Sequence, residues 1–364
     1  MTLTPASRPP TSSLAVPALV ALTAGGAALA WATRRLVRRE GGRDDDLRGR
    51  LALVTGGGRG LGLALARRLA ARGARLVLVS RSADELDRAV SELTLRGADA
   101  VARVCDVRDE SAVNALVADV TAHLGPIDML VNVAGVIECT PFVHATTGDF
   151  ERSLATHFWG PLFLVRAALP SLRQQRGRIV NISSIGGRVA VPHLLPYCVG
   201  KFALSALSDG LRAELATDGV SVLTVTPGLM RTGSYRNVTV RGQHAYEAAW
   251  FALGSITPLT AVKVEAAAEQ IVAASASRRA RLTVGGQARI AEIGNVVAPE
   301  AAAWLAELAA SVVLPGPGPA SASEARLSRD LDLGWFARVL PTALARRMNQ
   351  PIAADERRTH EALA

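Results

Sequence analysis

The sequence predicts an α/β fold: one doubly wound parallel sheet of about seven strands, with an apolar N-terminal segment before it and a helical tail after it. Three observations predict this. Short runs rich in Val, Leu and Ile recur seven times between residues 51 and 285. Helix-length stretches separate them. The first run leads directly into a glycine-rich turn, TGGGRGLG at 55–62. Continuous apolar runs of this length read as strands buried on both faces, and strands alternating with helices build a parallel sheet covered on both sides.

The chain opens with a polar segment, 1–13, that carries only Arg8. LAVPALVALTAGGAALAWAT follows at 14–33 without a charge. Twenty helical residues span ~30 Å, about one bilayer core. RRLVRR comes next at 34–39, with Trp31 at the edge. Basic residues just after an apolar span hold that side in the cytoplasm, whereas a cleaved signal carries its charges before the span. The expectation is a membrane anchor at 14–33, a basic and polar linker at 34–47, and the remaining chain cytoplasmic. Pro17, Gly25 and Gly26 weaken a helix there, and a loosely associated segment is the alternative.

The strands are read at 51–57, 74–80, 100–107, 127–135, 178–184, 220–228 and 281–285. Helices fall between them: to 72, about 83–96, to about 123, about 147–175 with Pro161 near its middle, and about 195–216. These elements make one body, 48–290. Residues 229–260 interrupt the alternation and are read as a lid. A C-terminal extension, 291–364, holds a helical stretch and the linker LPGPGPASAS at 314–323. DLGWFARVLPTALARRM, at 332–348, mixes apolar residues with arginine and suits a membrane surface or a packed tail.

The net charge is +9, with 39 arginines and only two lysines, Lys201 and Lys263. The charge is spread along the chain with no basic block interleaved with aromatics, which argues against nucleic acid as a partner. Cys105, Cys139 and Cys198 have no paired spacing and no histidine cluster nearby, so neither a disulfide framework nor a metal site is expected.

One of the two lysines, Lys201, stands four residues after one of the three tyrosines, Tyr197. That spacing puts both on one helix face. An ammonium beside a phenol favours phenolate and brings a weak acid toward useful proton transfer. Ser184 ends the fifth strand at the sheet edge where α/β sites form, and its hydroxyl can hydrogen-bond a carbonyl oxygen. Gly56, Gly60 and Gly62 allow a backbone to approach a pyrophosphate at a helix N-terminus. At the end of the second strand, where an acidic residue would bind ribose hydroxyls, the sequence has Ser80 and Arg81. Arg59 joins them from the glycine turn. Two arginines there suit a 2′-phosphate, so NADP(H) is the expected cofactor.

These motifs resemble the short-chain dehydrogenase/reductase family over about residues 48–286. Its TGxxxGxG is similar to the stretch Thr55, Gly56, Gly58, Arg59, Gly60, Leu61 and Gly62. Its acidic contact to adenine falls on Asp106, with Val107 beside it. Its NNAG falls on Asn132, Val133, Ala134 and Gly135, with Val133 a departure. Its catalytic serine falls on Ser184, not Ser183, and its YxxxK on Tyr197 and Lys201. Its PG turn falls on Pro227 and Gly228, and Thr232 matches a threonine that touches the nicotinamide amide. The resemblance implies a Rossmann-type fold and an NADP(H)-dependent exchange of carbonyl and alcohol by hydride transfer. Lys201 would also hold the nicotinamide ribose, and a homodimer or homotetramer is implied.

One departure falls on catalysis. The family's asparagine, three residues before Gly160, is His157 here. The family asparagine helps hold a water between the lysine and solvent, and His157 is read as a relay residue or as one that fills the same space. It is the one support for an alternative, an NADP-binding scaffold or sensor with little activity. The lid carries Tyr246, Trp250 and Phe251, which suit an apolar, lipid-like substrate or a dimer partner.

Overall fold

LALVT is buried at all five positions, as a central strand with helices on both faces requires. The computed structural model describes residues 46–257, 260–319, 323–331 and 347–350. The anchor expected at 14–33 and most of 332–348 lie outside these residues. Among the described residues no helix is long and apolar enough to cross a membrane.

Seven strands form one parallel sheet: β1 Leu51–Thr55, β2 Arg75–Ser80, β3 Ala100–Val104, β4 Met129–Asn132, β5 Arg178–Ile182, β6 Ser221–Pro227 and β7 Arg281–Val284. Their order is β7-β6-β5-β4-β1-β2-β3. The direction of winding reverses between β1 and β4, which opens a crevice beyond the carboxyl ends of those strands. All seven strands fall where the sequence predicts them, while their order across the sheet comes from the fold alone.

The helices are α1 Gly60–Ala70, α2 Ala83–Leu95, α3 Glu110–Leu124, α4 Thr147–Leu154, α5 Gly160–Gln174, α6 Leu195–Glu214, α7 His244–Ile256, α8 Val264–Ala276, α9 Gly286–Val297 and α10 Pro299–Val312. One core packs Leu63, Leu65 and Leu69 of α1 with Ile271 and Val272 of α8 against one face of the sheet. The second packs Val113 and Val117 of α3 with Leu164 and Leu172 of α5 on the other. Their starts are capped locally. Ser82 Oγ accepts from Glu85 N–H, Asp109 accepts from Ser111 and Ala112 N–H, and Thr146 with Asp149 closes a reciprocal box. Such caps contribute about 1 kcal/mol each.

The helix expected over 147–175 is present but not uniform. A π-helical turn, Ala155–Trp159, joins α4 to α5. Pro161, just beyond it, has no N–H to donate to the His157 carbonyl. Pro170 sits inside α5 without widening it, so packing also contributes to the wider turn, which carries His157.

The lid is also more structured than the sequence suggests. Leu229–Arg231 pairs in parallel with Ala261–Lys263. Thr239–Val240 lies between Glu138–Cys139 and Arg326–Leu327 in a small second sheet. Tyr235, Val238 and Phe251 of the lid pack with Cys139, Leu194 and Cys198 in a third core. The sequence divides body from tail at 290, but α9 runs through that position. The helical tail is present as α9 and α10. None of the residues of α10 is buried, and Trp304, Leu305, Leu308 and Val312 face outward.

Candidate active site

The cleft at the switch point has a volume of about 670 Å³. Its floor is the glycine turn, one wall is the start of α6, and α7 of the lid covers it. Gly62 shows why this floor needs glycine. A Cβ there would stand 2.1 Å from the Gly56 carbonyl oxygen, so any side chain would push the turn open. Gly56, Gly58, Arg59, Gly60, Leu61 and Gly62 all line the cleft.

Tyr197, Lys201 and Ser184 meet on its wall. The first two rise from α6, one turn apart, and Ser184 follows β5. Lys201 Nζ donates to the Ile182 carbonyl at 2.8 Å and stands 5.7 Å from the centre of the Tyr197 ring. Burial pushes the Tyr197 phenol up to about 12, with the Ser184 hydroxyl pulling the other way. Burial alone pushes the Lys201 ammonium down to about 7. The phenol is therefore a protonated acid across the neutral range, against the expectation that the Lys201 charge lowers its pKa, because burial dominates. The lysine charge titrates within that range. Ser184 Oγ accepts from Gly186 N–H at 3.1 Å. The Ser183 hydroxyl is engaged: it bonds the Lys201 carbonyl at 3.0 Å and pairs with Ser205 at 2.8 Å. Both serines line the cleft, but only the Ser184 hydroxyl is free of the Lys201 and Ser205 contacts that engage Ser183.

His157 is in the cleft wall but its ring nitrogens are both engaged. Nε2 accepts the Val136 backbone N–H at 3.2 Å, and Nδ1 faces Ser153 Oγ at 3.2 Å. An accepting Nε2 places the proton of the neutral ring on Nδ1. Burial, then the Lys201 charge, holds its pKa well below the ordinary histidine value. The ring stands edge-on to Tyr197 with centroids 5.4 Å apart. Room for it comes from Gly200, where a Cβ would meet Ser153 Oγ at 2.6 Å and His157 Nδ1 at 2.9 Å. His157 thus accepts from the Val136 backbone and packs edge-on against Tyr197. Gly200, inside the Tyr-x-x-x-Lys motif itself, escaped the sequence reading.

Thr55 and Asn132, also read as cofactor contacts, are not among the residues that line the cleft. Thr55 Oγ1 accepts from the Val133 and Ala134 N–H groups at 3.1 and 3.2 Å and so fixes the end of β4 beside β1. Asn132 Nδ2 donates to Asn181 Oδ1 at 2.8 Å, within the sheet. Val107, Ala134, Gly135, Pro227, Gly228 and Thr232 do line the cleft.

Basic residues gather where the second strand ends. Ser80, Arg81, Asp106 and Arg108 line the cleft there, with Arg59 and Arg329 nearby. Arg108 binds Asp106 at 2.5 Å, and this hydrogen bond lowers the Asp106 pKa. Arg81 reaches the same carboxylate at 4.0 Å. Arg59 pairs with Glu85 at 3.4 Å, and burial lowers its pKa. Such a nest is suited to a phosphate. Arg108 and Arg329 were missed in sequence. Arg108 is only two residues beyond Asp106, and an Asp-x-Arg spacing at a strand end was the available signal. Arg329 is brought from the tail by folding alone.

In the lid, Trp250 and Phe251 line the cleft and Tyr246 does not, being 61% exposed. Glu247, fully buried on α7, accepts from Trp250 Nε1 at 2.8 Å and bonds His193 Nδ1 at 2.9 Å. His193 lies just before α6, so α7 is tied to the element that carries Tyr197.

A dinucleotide fits these residues: a cradle that excludes side chains, a helix N-terminus above it, and an arginine nest at the adenosine end. The comparisons agree. The family model for short chain dehydrogenase matches residues 50–243. Gluconate 5-dehydrogenase of Gluconobacter oxydans is 36% identical over 51% of this chain and 73% of its own length. Among solved structures, a variant of actinorhodin polyketide ketoreductase with NADPH matches at TM-score 0.59 and 30% identity. That match covers 66% of this chain and 97% of the other. L-Sorbose reductase from Gluconobacter frateurii, complexed with NADPH and L-sorbose, matches at TM-score 0.60 and 27% identity over 67% and 97%. The chain belongs to the short-chain dehydrogenase family.

Proposed function

We propose that the protein is an NADP(H)-dependent oxidoreductase that interconverts an apolar ketone or aldehyde with its alcohol. The observation that carries this is the convergence of Ser184, Tyr197 and Lys201 on one wall of a cleft whose floor is the glycine turn. Bound NADP(H) supplies or accepts the hydride at the carbonyl carbon. The chain supplies the rest. The Ser184 hydroxyl orients the carbonyl oxygen. The Tyr197 phenol, protonated at neutral pH, gives that oxygen its proton. Lys201, in its charged form, stabilises the phenolate left behind. In the reverse direction the phenolate takes the alcohol proton. Arg59, Arg81 and Arg108 would hold the 2′-phosphate, and Gly58, Leu61 and Gly62 the pyrophosphate.

The apolar substrate class is supported by Trp250 and Phe251 at the cleft and by the uncharged stretch at 14–33, which would hold the site near dissolved lipids. NADPH oxidation with a panel of apolar ketones and aldehydes tests the reading. Tyr197→Phe should cut turnover by roughly 10²–10⁴-fold while NADPH still binds. Full turnover in that variant would remove the tyrosine from the mechanism.

A further inference from the structure

Residues 347–350 of the tail cross the glycine turn. Met348 is fully buried in the core on the α1 side of the sheet, and its carbonyl accepts from Gly60 N–H at 2.9 Å. Asn349 has φ +53, a left-handed conformation that asparagine tolerates. Its Nδ2 donates to the Glu85 carbonyl at 2.9 Å and to the Gly58 carbonyl, while Oδ1 accepts from Arg88 Nε at 2.9 Å. Gln350 lines the cleft and is 6% exposed. Its Oε1 accepts from Asn237 Nδ2 at 2.7 Å and faces Arg59 Nη1 at 3.5 Å. Asn237 closes the turn Ser234–Asn237 of the lid. Three successive tail residues thus link the floor of the cofactor cleft to its cover.

Such a link either blocks the cleft or closes over what it holds. The first N–H groups of α1 decide between these. Gly60 donates to Met348, whereas Leu61 and Gly62 N–H have no acceptor among the described residues. The tail therefore takes one of the orphan donors and leaves two for a phosphate to accept from. Tail and dinucleotide can share the helix end.

We propose that Asn349 and Gln350 are cofactor-positioning residues, and that the tail latches the glycine turn to the lid over bound NADP(H) and sets its rate of release. The proposal rests on the cofactor reading above. The full chain and its full-length variants Gln350→Ala, Asn237→Ala and the double variant are loaded with NADPH. Release is followed by the loss of nicotinamide fluorescence on mixing with excess NADP⁺. Each single variant should release NADPH about tenfold faster, and the double variant no faster than either, because both remove the same link. Asn349→Ala, on the floor side, should act in the same direction. Unchanged rates would overturn the proposal. Tighter NADPH binding in Gln350→Ala would make the tail an obstruction. Multiplicative acceleration in the double variant would make the two losses unrelated. An unmodified chain that binds no NADPH would fail the cofactor reading itself, which is a separate result.

Discussion

His157 and Lys201 touch the same tyrosine yet titrate in different ways. The histidine ring is held neutral by burial and the nearby ammonium. The lysine, pushed down to about 7 by burial, gains its charge as pH falls through that value. The proposed reduction uses a phenol that is protonated throughout and an ammonium that is not. Its rate should therefore fall as pH rises through about 7, and the same limb should persist in His157→Asn. If the limb disappears in that variant, the histidine is the titrating group. The arginine nest gives a second expectation. Arg81→Ala and Arg108→Ala should each weaken NADPH binding about tenfold and leave NADH binding almost unchanged, because each removes about one charge-assisted phosphate contact. Fluorescence titration of both cofactors checks it, and an equal loss for NADH would place these arginines elsewhere. Tyr197, Lys201 and Ser184 were legible because few residue types at fixed spacing do this chemistry. Gly200 was not legible, since its reason for being glycine is a histidine 43 positions earlier that folding brings beside it.

The strands were the most legible elements, since seven buried parallel runs leave little room for another reading. The π-helical turn was hidden: Pro161 marks a disturbance, but whether it kinks, ends or widens a helix is settled by packing. The small lid sheet was hidden too, because its strands are two residues long and pair across about a hundred positions. Glu138, on one of these strands, carries a pH dependence. Burial raises its pKa to about 7, with the Arg152 charge opposing. The folded chain then keeps a proton between the ordinary value of 4.5 and about 7 that the unfolded chain releases. Its contribution is complete below 4.5 and is lost as pH rises through about 7. Glu138→Gln should gain on the parent chain between pH 5 and pH 8 by at most about 3 kcal/mol in urea unfolding. A constant gap between the two proteins across that range would mean the carboxyl ionises normally.

At the scale of the whole molecule, the expected anchor at 14–33 has its own test. Full-length protein should sediment with membranes and stay there in high salt, whereas chain lacking residues 1–40 should lose that resistance. Full-length protein that remains in the supernatant would refute the anchor. The tail latch had no sequence signal, because Asn349 and Gln350 meet the glycine turn about 290 positions away. The scarcity of lysine has a practical consequence. Lys263 lies on the surface, while Lys201 is 4% exposed on the cleft wall. A depressed pKa gives Lys201 a neutral, nucleophilic fraction roughly a thousandfold above that of an ordinary lysine. Acylating reagents small enough to enter the cleft therefore have two internal amines to mark, and peptide mass spectrometry separates them. Lys263 reports the reagent dose, and protection of Lys201 reports occupancy of the cleft. The same amine chemistry gives an occupancy assay that needs no turnover and no identified substrate.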